Sequence, residues 1–165
     1  MPTTRELMEE LKREAGVTRK VLERIPPDRF DWRPHEKSWA FGQLGSHITS
    51  LYYWLTEVLS TTGVDLEGDR SESFEAADVG QLLERFDSLV EKSSSVLEQQ
   101  SEESFSDIWT LRSGEHVIFE LPRSAALRFF VFNHLVHHRG QLTMYLRLCD
   151  VPLPAVYGPS ADEQS

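Results

Sequence analysis

Four stretches of this chain carry apolar residues at every third or fourth position, the period that gathers side chains on one face of an α-helix. The first runs from about Arg5 to Arg24, with Leu7, Leu11, Ala15, Thr18 and Leu22 in one stripe that Ile25 continues. Thr3 and Glu6 stand at capping-box spacing at its start. The second runs from about Trp39 to Ser60, with Leu44, Ile48, Leu51, Leu55 and Leu59 inward and Ser38 as the expected cap. The third starts near Asp78, with Gln81 three residues on, and reaches about Gln99 through Leu82, Phe86, Leu89, Ser93 and Val96. The fourth opens on Pro122, suited to a first helical position, and runs to about Cys149, where Pro152 and Pro154 stop it.

The connections are read by their breakers. "IPPDRFDWRPHEKS", with three prolines, is loop, as are the acidic "TTGVDLEGDRSESF" and the tail "VYGPSADEQS". "DIWTLRSGEHVIFEL" alternates about Ser113-Gly114 and reads as a short β-hairpin between the third and fourth helices. The expectation is one domain over residues 1–165, an all-α four-helix bundle carrying that hairpin. Helices of this length span about 30–40 Å.

Composition removes several function classes. No apolar run nears the 18 or so residues that cross a bilayer, and the charged N-terminal stretch has no secretory core. The single cysteine, Cys149, leaves no internal disulfide and no multi-cysteine zinc site. A cytoplasmic protein without membrane partners is expected. Residues 65–107 hold thirteen acids against three bases, equal to the entire formal charge of −10. Such a surface repels nucleic acid. Residues 122–150 reverse the balance, with four arginines and one aspartate, enough to hold a small anion locally. Neither a phosphate-cradling glycine loop nor a dinucleotide fingerprint occurs.

Half of the six histidines are the chemical signal. His134, His137 and His138 fall within "FNHLVHHRGQL". His134 and His138, four apart, share one helix face with Leu127, Val131 and Tyr145. His137 stands about 100° further round, either beside the pair or in water. His47, three residues after Leu44 and four before Leu51, lies on the apolar face of the second helix. His35, in a proline-bounded loop, and His116, in the hairpin, are weaker candidates. Cys149 is about 16 Å further along the axis than His138 and cannot join it. Buried imidazoles need partners. Hydrogen bonds within a core would serve, and so would one divalent ion shared by His47, His134 and His138. Three imidazoles suit Zn, Ni, Fe or Cu rather than Mg or Ca, and three protein ligands leave positions open for water or substrate.

Other residues carry paired readings. Arg139 either clamps a substrate carboxylate or, the expected case, pairs with an acid on a neighbouring helix. Gly140 is expected at a close helix contact. Asn133 and Gln141 are candidates to accept an imidazole N–H. Tyr145 is expected to border the metal cavity, and Trp32, Trp39, Trp54 and Trp109 to fill the core. No carboxylate pair is placed near the histidines by spacing, so no general base is assigned.

"WRPHEKSWAFGQLGSH" followed by "LRFFVFNHLVHHRGQLTMYLRLCDVPLPAVYGPSADE" resembles the DinB-like (damage-inducible, YfiT-related) family of four-helix metalloproteins over about residues 5–163. The resemblance implies a left-handed up-down-down-up bundle and homodimers packed through bundle helices. It also implies one divalent metal, Ni or Zn, on three histidines that map onto His47, His134 and His138. The wider superfamily includes mycothiol-dependent maleylpyruvate isomerase and bacillithiol S-transferases. The function so implied is metal-dependent transfer of a low-molecular-weight thiol to a small-molecule substrate. The alternatives are a metal-dependent hydrolase and a non-catalytic dimeric metal-binding stress protein.

Overall fold

The computed structural model describes residues 3–68 and 74–164, so part of the acidic connection falls outside the described residues. Helix α1 is Thr4–Leu22, α2 is Phe41–Ser60 and α3 is Val79–Glu98. The last helix comes in three continuous pieces: α4 (Arg123–Ala126), a π-helical stretch (Leu127–Phe132) and α5 (Asn133–Leu148). Helix α3 packs against both α1 and α2, and α5 also touches both, so the four long helical stretches close around one core.

The stripes expected in α1, α2 and α3 are buried faces. Leu11, Leu22, Ile48 and Leu82 are fully removed from water. In α3 the stripe ends on Leu97, with Val96 only partly covered. Helix starts follow local hydrogen bonding. Thr3 and Glu6 form the reciprocal capping box of α1, and Asp78 accepts the Gln81 N–H at 2.8 Å to cap α3. Ser38 does not cap α2. The helix begins at Phe41, because Phe41 N–H and Gly42 N–H are drawn back to the carbonyls of Trp32 (3.0 Å) and Phe30 (2.9 Å). Ala40 stands at the N-cap without a side-chain cap, and its own N–H goes to Gln43 Oε1 at 3.0 Å.

The all-α expectation is corrected by a three-stranded sheet in the order β1-β2-β3, formed by Gly63–Asp65, Ile108–Ser113 and His116–Pro122. Strands β2 and β3 are antiparallel, and β1 adds in parallel to β2. Three residues are too few to show alternation, so β1 reads as loop in the sequence. Its Gly63 lies against β2, where a Cβ would sit 2.5 Å from the Thr110 carbonyl oxygen. Pro122 closes β3 and caps α4 rather than entering it.

The π-helical stretch was not expected. Beyond it, in α5, Leu135, His138, Leu142 and Leu146 carry the buried face toward the core, while His134 and Tyr145 stay partly covered. Gly140 is exposed, and a Cβ there would meet nothing within 4 Å, so close packing inside this chain is not its reason.

Arg139 pairs with an acid on a neighbouring helix. Its side chain is 1% exposed and that of Glu14, on α1, 3%. The guanidinium donates to Glu14 Oε2 (2.7 Å), to the Glu14 carbonyl (3.3 Å), to Thr18 Oγ1 (3.0 Å) and to the Tyr157 hydroxyl (2.6 Å). Tyr157 donates in turn to Glu14 Oε2 at 2.9 Å. The tail is also held by ion pairs of Arg24 with Glu163 and of Arg147 with Asp162. Removing one member of a buried pair strands the other charge. Glu14→Ala should therefore lose about 3–5 kcal/mol in chemical denaturation. The apolar double variant Glu14→Leu/Arg139→Met should recover most of that loss, and equal destabilisation of the two would contradict a buried pair.

Candidate metal centre

Helix α2 supplies His47, and α5 supplies His134 and His138. The ring centres lie 4.9 Å (His47–His134), 4.6 Å (His47–His138) and 4.6 Å (His134–His138) apart. One ring nitrogen from each lies within 4.8 Å of the other two. His47 Nε2 and His134 Nε2 are 3.2 Å apart. Two imidazole nitrogens on one tetrahedral ion, each at 2.0–2.1 Å, are separated by about 3.3 Å. The observed spacing thus fits a shared first-row ion, and all three donors are of the borderline type such ions prefer.

The Nδ1 atoms of His134 and His138 are occupied. His134 Nδ1–H donates to the Phe130 carbonyl at 3.3 Å, and that carbonyl belongs to the π-helical stretch. His138 Nδ1–H donates to Gln141 Oε1 at 2.7 Å. A carbonyl oxygen can only accept, so both bonds place the proton on Nδ1 and free the Nε2 lone pair. Burial favours the neutral rings. It pushes His47 down to about 4, with the neighbouring His138 and His134 adding to the effect. His134 and His138 are lowered as well, chiefly by desolvation. Neutral imidazoles with pinned tautomers are what metal coordination requires.

The other expected residues divide. Gln141 holds His138, whereas Asn133 is exposed. His137 is exposed, its ring 4.9 Å from that of His138. Arg139 faces α1 and is spent in its ion pair. Tyr145 packs edge-on against Trp32 (5.9 Å) and Phe41 (5.8 Å) rather than against the imidazoles. His35 and His116 are exposed outside the cluster. Trp109 is core, its indole N–H donating to Thr61 Oγ1. Trp39 is not core. It is 45% exposed and lies 4.7 Å from the His47 ring and 5.5 Å from that of His138. A tryptophan eight residues before His47, across a proline-free turn into α2, is the signal that marks it.

The family model described as the DinB family matches residues 1–165. Among curated proteins of Bacillus subtilis (strain 168), the uncharacterized protein YrdA is 24% identical over 150 residues, covering 91% of this chain and 85% of that protein. The uncharacterized protein YjoA is 27% identical over 134 residues, covering 80% and 81%. The crystal structure of the DinB-like protein YjoA superposes with a TM-score of 0.72 at 21% identity, covering 96% of this chain and 98% of that one. A DinB-like protein of Bacillus cereus gives 0.72 at 18% identity, covering 94% and 98%. These likenesses show a shared fold.

The histidine pKa values set a pH dependence. The unfolded chain protonates its histidines near 6.5, while His47 in the fold waits until about 4. Between those values the unfolded state binds more protons, so stability is full above 6.5 and falls as pH drops toward 4. Denaturation midpoints of metal-free protein across that range should show the loss, and His47→Asn should flatten it. An equal slope in the variant would contradict burial of a neutral His47.

Proposed function

The chain belongs to the DinB family, and from that membership and its three converging imidazoles we propose that it is a metal-dependent enzyme that transfers a small thiol to an electrophilic substrate. The observation that carries this reading is the set His47, His134 and His138, neutral by burial and with two tautomers pinned by Phe130 and Gln141. These three would hold one divalent ion, with zinc or nickel the ions expected of an all-imidazole set. When bound, such an ion supplies Lewis-acid chemistry that favours the deprotonated form of a thiol near neutral pH. The residues do the rest. Helix α2 and α5 aim the three donors at one point, the two Nδ1–H bonds keep the rings from rotating, and Trp39 screens two of them. In the transfer, the thiol proton goes to solvent, a carbon–sulfur bond forms, and the leaving group departs with its electron pair.

Homodimer formation belongs to the same proposal. Phe129, Val136, Met144 and Leu148 are exposed apolar residues along one side of the last helix, and Gly140 stands among them with open space where a Cβ would be. A second copy packed along that stripe would bury it and use the small residue for close approach. Light scattering should give the mass of a dimer for the wild type and of a monomer for Met144→Glu. A monomeric wild type would remove this part.

Elemental mass spectrometry should find about one ion per chain in the wild type and in His137→Ala, and none in His47→Ala, His134→Ala or His138→Ala. Metal-loaded protein should then consume a low-molecular-weight thiol in the presence of a chloronitrobenzene electrophile, releasing chloride. Across several thiols, no rate above that of His138→Ala would overturn the transferase reading. Metal retained in all four variants would overturn the site itself.

A further inference from the structure

The indole of Trp39 is a large apolar ring left nearly half in water, 45% exposed. The backbone that follows Trp39 is nevertheless held by hydrogen bonds. Ala40 N–H goes to Gln43 Oε1, Phe41 N–H to the Trp32 carbonyl and Gly42 N–H to the Phe30 carbonyl. Gly42, at the start of α2, is pressed so closely onto Phe30 that a Cβ would lie 2.3 Å from that ring and force it to move. The fold therefore presents Trp39 in one place instead of letting it collapse into the core. Its ring contacts are with His47 (4.7 Å, tilted by 54°) and His138 (5.5 Å, tilted by 33°). It makes no hydrogen bond to a described residue.

We propose that Trp39 is a specificity-determining residue of the three-histidine centre, an apolar wall that selects small donor ligands carrying an aromatic or other apolar group beside the donor atom. This rests on the metal-centre and thiol reading above. A molecule that reaches the His47 and His138 nitrogens from the solvent on this side passes along the indole. A purely polar donor gains nothing from that surface. A donor with an aromatic substituent covers it, removing apolar area from water on both partners and adding a ring–ring contact. Such a contact changes affinity by about fivefold. The preferred substrate class is accordingly a thiol or electrophile with an apolar body, and the residue acts on ligand choice rather than on metal retention.

The experiment uses full-length protein loaded with cobalt(II), as wild type, Trp39→Phe and Trp39→Ala. Cobalt affinity is measured by calorimetry. Each protein is then titrated with 2-mercaptoethanol and with benzyl mercaptan, following the thiolate-to-cobalt absorption band. Tryptophan emission supplies a second readout: cobalt should quench the wild type more than Trp39→Phe, because only the wild type has an indole against the imidazoles. The expected result is that the wild type favours benzyl mercaptan over 2-mercaptoethanol. That preference should fall by about fivefold in Trp39→Ala and less in Trp39→Phe, with cobalt affinity the same in all three within about twofold. Thiol binding with an unchanged preference overturns the role of Trp39 alone. Loss of cobalt in Trp39→Ala also overturns it, since the residue would then be structural. Cobalt bound by all three with no thiol bound by any overturns the thiol reading and this proposal with it, and a wild type that takes up no cobalt overturns the metal centre.

Discussion

The rotation of the last helix about its own axis is the constraint on which this molecule turns. Neighbouring residues on a helix point about 100° apart. His138 faces α2 and its His47, while the next residue, Arg139, faces α1. The guanidinium is buried and bonded to Glu14, Thr18 and Tyr157. A buried charge in that position tolerates no alternative, because any rotation of α5 would leave it or Glu14 unpaired in a low-dielectric core. The helix is thereby locked with His134 and His138 toward α2. An ion pair of this kind adds little net stability. Its consequence here is orientation, and the tail joins it through Tyr157.

The π-helical stretch works on the same element from the other side. Leu127–Phe132 ends one residue before α5 begins, and its Phe130 carbonyl receives the His134 Nδ1–H. A wider turn departs from the ordinary i→i−4 ladder, and such turns recur at functional positions. Here the departure coincides with a carbonyl that fixes a tautomer. His134 is held from the N-terminal side by backbone and His138 from the C-terminal side by Gln141. The two nitrogens left free face His47, which burial keeps neutral. The segment before α2 completes the arrangement, since its Trp32 and Phe30 carbonyls hold the backbone that follows Trp39.

Much of this was legible in the chain. Helical periodicity located the four long stretches, and Thr3, Glu6 and Asp78 marked two of their starts. Histidines four apart on one helix, with a third on the apolar face of another, pointed to the cluster that the fold assembles. Arg139 was readable as an ion-pairing residue, although its partner Glu14, 125 positions away, was not. What went unread has a common cause. β1 is three residues whose strand character comes only from pairing with β2. The start of α2 depends on Trp32 and Phe30 reaching forward. Tyr145 shares a helix face with His138, but seven residues carry it about 10 Å further along the axis, where it meets Trp32 and Phe41 instead of the imidazoles.

The sequence by itself determined the elements and the chemistry available to them: amphipathic helices, from the spacing of their apolar residues, and three imidazoles placed to face inward. Those follow from local geometry, since period and propensity act within a few residues. Only the tertiary structure decided which nitrogen of His134 and of His138 is free, that the guanidinium after His138 looks away from the cluster, and that Trp39 rather than Tyr145 lies over it. Each of these depends on contacts between elements far apart in the chain, where burial and hydrogen-bond satisfaction select one rotation of a helix among several that the pattern of residues permits.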